Sequence, residues 1–298
     1  MKLELKNLYK DFEPRTFLKK ERASILENIN LTLDEGDILG LIGKNGAGKT
    51  TLLKMIVGLI EPSDGEIVFK NKERPLFGYT SCNSRSFFWR LSSRDNLTFF
   101  GKMLGLNNKG CSDSIENISN ILEITHILDK PFMHLSSGQM QSVNIARAIL
   151  KKPDLLLLDE PTTSLDYEAS ISIISALENY LNENKIPAIW CSHDYFELNR
   201  VCNKFGLLKN KKLYFKDRRV DRFHELAINY EFEVGYGDIE KVNSKLNAII
   251  RKRDDRTCYF SLVDSELELN EFLNLLKDTN IKILSIEKNF KYFESYVS

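Results

Sequence analysis

Apolar and polar residues alternate at the start of the chain, where Leu3 and Leu5 stand between Lys2, Glu4 and Lys6, and this period of two predicts a half-buried strand over residues 2–8. The polar, basic stretch Glu13–Arg22 reads as a loop, its charges those of a solvated segment. Alternation returns at Ile29, Leu31 and Leu33, and Asp34–Asp37 supplies a turn. Ile38–Gly43 is a short apolar strand that runs into a glycine-rich stretch. From Thr50 onward, Leu52, Leu53, Ile56, Val57 and Leu59 recur at the spacing of a helix buried on most sides. Residues from about 84 to 150 become helical and polar, with connectors rich in Asn, Ser and Gly, and predict a helical subdomain. Lys152–Pro161 is again a mostly apolar strand, as in a parallel sheet covered on both faces. A helix over Ile171–Asn182 and a strand over Ile186–His193 continue the αβ alternation. Past about Asp221 the texture changes, and residues 231–236, 241–252, 257–263, 267–280 and 281–287 read as strand, helix, strand, helix, strand. The pattern predicts an α/β core with a parallel sheet and a helical subdomain over residues 1–220, followed by a small C-terminal α+β extension over 221–298.

Composition narrows the classes. The 298 residues suffice for one large domain with an appendage, and 42 % hydrophobic with 28 % charged residues is the balance of an ordered globule. Forty-two Lys and Arg offset 42 Asp and Glu, so the chain lacks the overall positive field that steers proteins to nucleic acid, and no nucleic-acid partner is expected. Apolar runs are far shorter than a membrane span, and the alternating N-terminus is not a signal peptide, which predicts a cytoplasmic protein. The five cysteines, at 82, 111, 191, 202 and 258, form no CxxC pair and suit reduced thiols better than a disulfide framework or a zinc site.

Chemistry concentrates first at Gly43-Lys44-Asn45-Gly46-Ala47-Gly48-Lys49-Thr50, with Thr51 following, which matches the GxxxxGK[ST] phosphate loop and has the required strand before it and helix after it. Its glycines let backbone N–H groups turn toward a β-phosphate, and the helix N-terminus adds partial positive charge. Lys49 would reach the β- and γ-phosphates of a nucleotide, and the Thr50 hydroxyl would ligate Mg²⁺. The second concentration is the buried strand Leu155–Leu158 ending in Asp159 and Glu160. Carboxylates at the carboxyl end of a parallel strand face the crevice where such sheets bind ligands. Asp159 is placed to hold Mg²⁺ through water, and Glu160 to polarise an attacking water. Taken alone, a glycine-rich turn can bind nothing and strand-end acids can be solvated turn residues; together they predict a phosphate-loop ATPase core.

Between the two motifs lies Leu135-Ser136-Ser137-Gly138-Gln139, followed by the amphipathic stretch Met140–Leu150. This run resembles the LSGGQ signature of the ATP-binding cassette (ABC) ATPases. The order of phosphate loop, signature, acidic strand and a later His is similar to theirs over about residues 3–215. The resemblance implies that Ser136, Gly138 and Gln139 contact the γ-phosphate held by a second cassette, so that one chain makes half a site. It implies that Ser164-Leu165-Asp166 is the loop crossing that dimer interface, with Asp166 near the opposite phosphate loop. His193 matches the switch histidine that touches the γ-phosphate and positions water, although a His at a strand end is also a common structural residue. Phe12 falls where the family stacks an aromatic on adenine, or else it belongs to the core.

Two positions depart from the family pattern. Cys82, with Asn83 beside it, stands where the family has a Gln that touches Mg²⁺, and a soft thiol is a poor partner for that hard ion. Ser142 stands where many members carry Arg. Phe87, Phe88 and Trp89 lie in a segment that resembles the permease-facing part of exporter cassettes, and they fit either that groove or the subdomain core. The tail resembles extensions found on some exporter subunits. The implied function is the ATP-hydrolysing subunit of an ABC transporter. It would work as a homodimer, or as a heterodimer with a second cassette, on a separately encoded transmembrane permease at the cytoplasmic face, with export favoured. The alternative is a soluble ABC ATPase in DNA repair or translation.

Overall fold

A computed structural model describes residues 1–12, 23–81, 86–192 and 194–217, and, nearer the C-terminus, the strands at 229–235, 249–253, 257–262 and 283–289. The basic stretch Glu13–Arg22, the pair Cys82 and Asn83, and His193 lie outside the described residues, as do the expected helical segments 241–248 and 267–280. Contacts within the chain fall into two units, Met1–Arg219 and Val220–Ser298.

The first unit contains two sheets. In the smaller, β1 (Lys2–Phe12) lies between β2 (Ala23–Leu33) and β4 (Asp64–Lys70), antiparallel to both. The strand read at residues 2–8 runs on through Phe12, while its alternation breaks after Leu5, where the register shifts and Asn7 takes a positive φ of 47°. The larger sheet has the order β5-β6-β7-β3-β8-β9. Here β3 is Ile38–Ile42, β5 Phe77–Thr80, β6 Leu155–Asp159, β7 Ala188–Cys191, β8 Lys204–Lys209 and β9 Lys212–Asp217. All but β9 run parallel to their neighbours, so the carboxyl ends of β3, β6 and β7 open on one edge of the sheet. β9 turns back antiparallel through Asn210 and Lys211, whose φ of 49° and 67° suit a two-residue hairpin. Lys204 and Asp37, both buried, form an ion pair at 2.5 Å that ties the starts of β3 and β8 together.

Helix α1 (Lys49–Ile56) buries Leu52, Leu53, Met55 and Ile56 in one apolar cluster with Leu3, Leu5, Leu26 and Ile29 of the antiparallel sheet and Leu39, Leu41, Leu155 and Leu157 of the parallel one. Each such leucine contributes about 1.5–3 kcal/mol by leaving water, so the phosphate-loop helix is among the most firmly held elements. It stops earlier than the periodicity suggests, because Gly58 takes a φ of 76° and turns the chain away, leaving Leu59 exposed. The helical part comprises α2 (Ser93–Met103), α3 (Asn108–Ile121) and α4 (Ser137–Ile149). Helix α5 (Tyr167–Asn184) is longer at both ends than the sequence pattern indicates, and α6 (Tyr195–Val201) follows β7.

In the second unit, β10 (Asn229–Gly235), β11 (Ile249–Arg253), β12 (Thr257–Leu262) and β13 (Ile283–Asn289) form an antiparallel sheet of order β11-β12-β10-β13. The helix expected over 241–252 is therefore wrong at its end. Ile249 and Ile250, β-branched residues that favour strands, pair with Ser261 and Phe260.

Candidate nucleotide site

The site grows from the carboxyl end of β3. Gly43 leaves the strand so close to β8 that a Cβ there would lie 2.8 Å from the Leu208 carbonyl oxygen. Gly48, at φ 108°, caps α1, and a side chain there would meet Leu26 at 2.9 Å. The glycines thus let the backbone curl tightly before α1 begins, and the first turn of α1 carries no acidic residue to compete for its amides. Lys49 is buried; its Nζ donates to the Gly43 carbonyl at 2.6 Å and stands 4.0 Å from Glu160 Oε1. Thr50 Oγ1 donates to Asp159 Oδ2 at 2.7 Å, joining the helix start to the end of β6. Glu160 holds a φ of 54°, uncommon for a residue with a side chain, and its N–H donates to the Cys191 carbonyl of β7 at 2.9 Å. Behind it, burial and the nearby Asp159 charge push the Cys191 thiol well up, so this cysteine stays a neutral packing residue.

A cleft of about 430 Å³ results, lined by Lys44, Asn45, Gly46, Gly48, Lys49, Thr50, Thr51, Asp159 and Glu160. Gly43 and Ala47 stand behind it: Gly43 turns its carbonyl to Lys49, and Ala47 packs against the apolar cluster. Two lining residues escaped the sequence reading. Ile25 of β2 has only the pattern of a strand residue, and Thr163, whose hydroxyl donates to Glu160 Oε2 at 3.3 Å, lies between the acidic pair and Ser164-Leu165-Asp166 without belonging to either. Phe12 does not line this cleft; it ends β1 opposite Ala23, exposed, with Lys10 Nζ 5.0 Å from its ring centre.

A second cleft of about 450 Å³ shares no lining residue with the first and gathers Ser136, Gly138, Gln139, Ser164, Leu165 and Asp166. The spacing of Ser136 and Gln139 explains the local fold, since they form a reciprocal capping box. Ser136 Oγ accepts from Gln139 N and Gln139 Oε1 from Ser136 N, each at 3.2 Å. Asp166 caps α5 in turn, its Oδ1 accepting from Ala169 N at 2.9 Å. Gly138 lets these two helix starts meet, for a Cβ there would lie 3.2 Å from Leu165 Cδ2 and 3.3 Å from the Ser164 carbonyl oxygen. Ser142 is buried and donates to the Gly138 carbonyl at 3.1 Å.

The aromatic run divides. Phe87 is 4 % exposed and stacks on Phe132 with ring centres 4.4 Å apart, so it is core. Phe88 and Trp89 are 45 % and 49 % exposed, with Leu91 and Met133 also on the surface. Farther along, Asn144 and Arg147 of α4 donate to the Ser81 carbonyl (2.8 Å) and to Ser86 Oγ (2.6 Å).

A family model described as "ABC transporter" matches residues 26–163. The chain is 30 % identical over 206 residues to the ABC transporter ATP-binding protein NatA of Bacillus subtilis, a match covering 66 % of this chain and 83 % of that one. It is 38 % identical over 193 residues to the zinc import ATP-binding protein ZnuC of Buchnera aphidicola, covering 64 % and 74 %. A solved dimeric ATP-binding cassette in a post-hydrolysis state, bound to ADP and Pi, shares the fold, with a TM-score of 0.64 at 23 % identity over 72 % of this chain and 98 % of that chain.

Proposed function

Because this chain belongs to the ATP-binding proteins of ABC transporters, we propose that it pairs head to tail with a second cassette over ATP and thereby drives a separately encoded membrane permease. The chain is an ATPase of that family. One observation carries the head-to-tail reading: the phosphate loop and its acids line one cleft, the signature residues and Asp166 another, and the two have no residue in common. Neither cleft holds the full set of groups that the chemistry needs, and a partner turned end for end would present its second cleft to the first cleft of this chain.

Within that reading the residues have separate duties. The amides of the loop and of the α1 N-terminus, with Lys49, would bind the β- and γ-phosphates. Glu160 would orient and deprotonate the attacking water, with His193 assisting from beyond β7. Thr50 and Asp159 offer a hydroxyl and a carboxylate already in contact, and these hard oxygen donors fit Mg²⁺. When bound, Mg²⁺ would neutralise charge on the phosphate oxygens. Ser136, Gly138 and Gln139 would complete the partner's site from the N-terminus of α4.

Among the described residues no helix is long and apolar enough to cross a membrane, and in this proposal the path belongs to the permease, with the cassette on the cytoplasmic face. The exposed Phe88 and Trp89 supply the permease contact, since aromatic side chains are enriched in protein interfaces. Export is the proposed direction, on the resemblance of this segment and of the tail. A vesicle assay reads it, with ATP-driven accumulation inside everted vesicles expected and loss from them pointing to import. The central test is size-exclusion chromatography of the Glu160→Gln chain with ATP, where a nucleotide-trapped dimer is expected and a persistent monomer would count against the proposal.

A further inference from the structure

Glu197 of α6 has an environment that no sequence motif announced. Its carboxylate is buried, the residue being 3 % exposed, and it accepts three side-chain hydrogen bonds from two different segments. Trp190 Nε1, from the fully buried indole on β7, donates to Oε1 at 2.7 Å. Ser192 Oγ, just past β7, donates to Oε2 at 2.5 Å, and Thr162 Oγ1, from the turn after the acidic pair, donates to the same oxygen at 2.9 Å. Burial pushes the Glu197 carboxyl up, and the bonds from Ser192, Thr162 and Trp190 pull it back. A buried carboxylate is tolerated when its lone pairs are met by donors, and removing one partner leaves a costly orphan.

The placement of Thr162 gives this cluster a bearing on the reaction. Thr162 and Thr163 are adjacent, and their hydroxyls point to two different carboxylates: Thr162 to Glu197 and Thr163 to Glu160. Thr162 also closes the turn leading to the second cleft, its carbonyl accepting from Leu165 N at 2.9 Å. On the other side, Ser192 Oγ accepts from Asp194 N at 3.0 Å, so the hydroxyl bonded to Glu197 also holds the chain just beyond β7. We infer that Glu197 is a positioning residue for hydrolysis: through Thr162 it fixes the turn that aims Glu160, and through Ser192 and Trp190 it locks that turn to the end of β7. This inference rests on the reading of Glu160 as the group that activates water.

The test compares the full-length wild type with Glu197→Gln, Thr162→Val, Thr162→Ser and the Thr162→Val/Glu197→Gln double variant, measuring equilibrium ATP affinity and hydrolysis separately. Thr162→Val and Glu197→Gln should each lower kcat by about tenfold while ATP affinity stays within about twofold, since the phosphate grip is untouched. Thr162→Ser, which keeps the hydroxyl, should return kcat to within about twofold of wild type, and the double variant should be no slower than the worse single one by more than about twofold. Unchanged kcat in the single variants, multiplying losses in the double, or a kcat fall in Thr162→Ser equal to that of Thr162→Val would overturn the inference. If Glu197→Gln does not fold, the Val and Ser variants at 162 decide alone. A wild-type chain that hydrolyses no ATP would overturn the functional reading and the inference together, whereas an active wild type with indifferent Thr162 variants overturns only the inference.

Discussion

Thr50 Oγ1 and Asp159 Oδ2 lie 2.7 Å apart, joined by a hydrogen bond between the start of α1 and the end of β6. Both groups are proposed to serve the same Mg²⁺, directly for Thr50 and through water for Asp159, and a cation and a hydroxyl proton compete for that carboxylate. Chelating Mg²⁺ should therefore abolish hydrolysis, and Asp159→Asn should lower kcat by about a hundredfold or more, in the range lost when a charge-stabilising group is removed from a reacting centre. Steady-state ATPase rates across a Mg²⁺ titration check both. Full activity in excess chelator would exclude the assignment.

Glu160 sits past the strand end with its amide bonded to Cys191 and one carboxylate oxygen held by Thr163. Glu160→Gln preserves shape and should leave ATP binding intact while slowing turnover by about 100- to 10,000-fold, the span general-base loss covers. Single-turnover hydrolysis with labelled ATP separates the two effects. Lys49→Ala, in contrast, should lose ATP affinity itself.

Ser136 lies in the cleft that shares nothing with the phosphate loop. Ser136→Arg should leave ATP affinity of the isolated chain within about twofold and yet prevent nucleotide-dependent dimerisation in the Glu160→Gln background, because the loss falls on the partner's site. Light scattering with and without ATP distinguishes these states, and a dimer of normal mass in the arginine variant would count against the head-to-tail arrangement.

Phe87 and Trp89 are two residues apart and should behave oppositely. Phe87, stacked on Phe132 and covered by Arg147, should cost about 3–5 kcal/mol when cut to Ala, as large core truncations do. Trp89→Ala should cost less, about 0.5–1.5 kcal/mol for the edge-on contact of its half-exposed ring with Phe132, while weakening stimulation of the ATPase by the permease. Urea unfolding and ATPase assays with and without permease-containing vesicles read the two quantities.

The α/β architecture was legible where one residue type dictates local structure. The apolar run before Gly43, the glycines and the leucines of α1 each follow from a short-range rule. Pairings between distant segments were not legible. The strand at Asp64–Lys70 and the hairpin of β8 and β9 have mixed patterns that packing completes, and Ile249–Ile250 read as helical until pairing with β12 made them strand. At the site, the motifs marked Lys49 and Asp159 but not Ile25, which reaches the cleft only because β2 lies over the phosphate loop. Glu197 was silent for the same reason: its donors come from residues 162, 190 and 192, and only the parallel pairing of β6 with β7 brings them together.

The cap at α4 explains why a hydroxyl suits position 136 better than a carboxylate. A hydroxyl has two acceptor sites and one donor. Gln139 N takes up one acceptor site, and in the proposed dimer the proton would remain for an oxygen of the nucleotide held by the second subunit. An aspartate would start the helix equally well but would repel that oxygen, and an alanine would neither cap nor donate. In the proposed head-to-tail dimer, folding of one chain and recognition of its partner's nucleotide would thus draw on opposite halves of a single small functional group, so a substitution chosen to satisfy one of these demands would defeat the other.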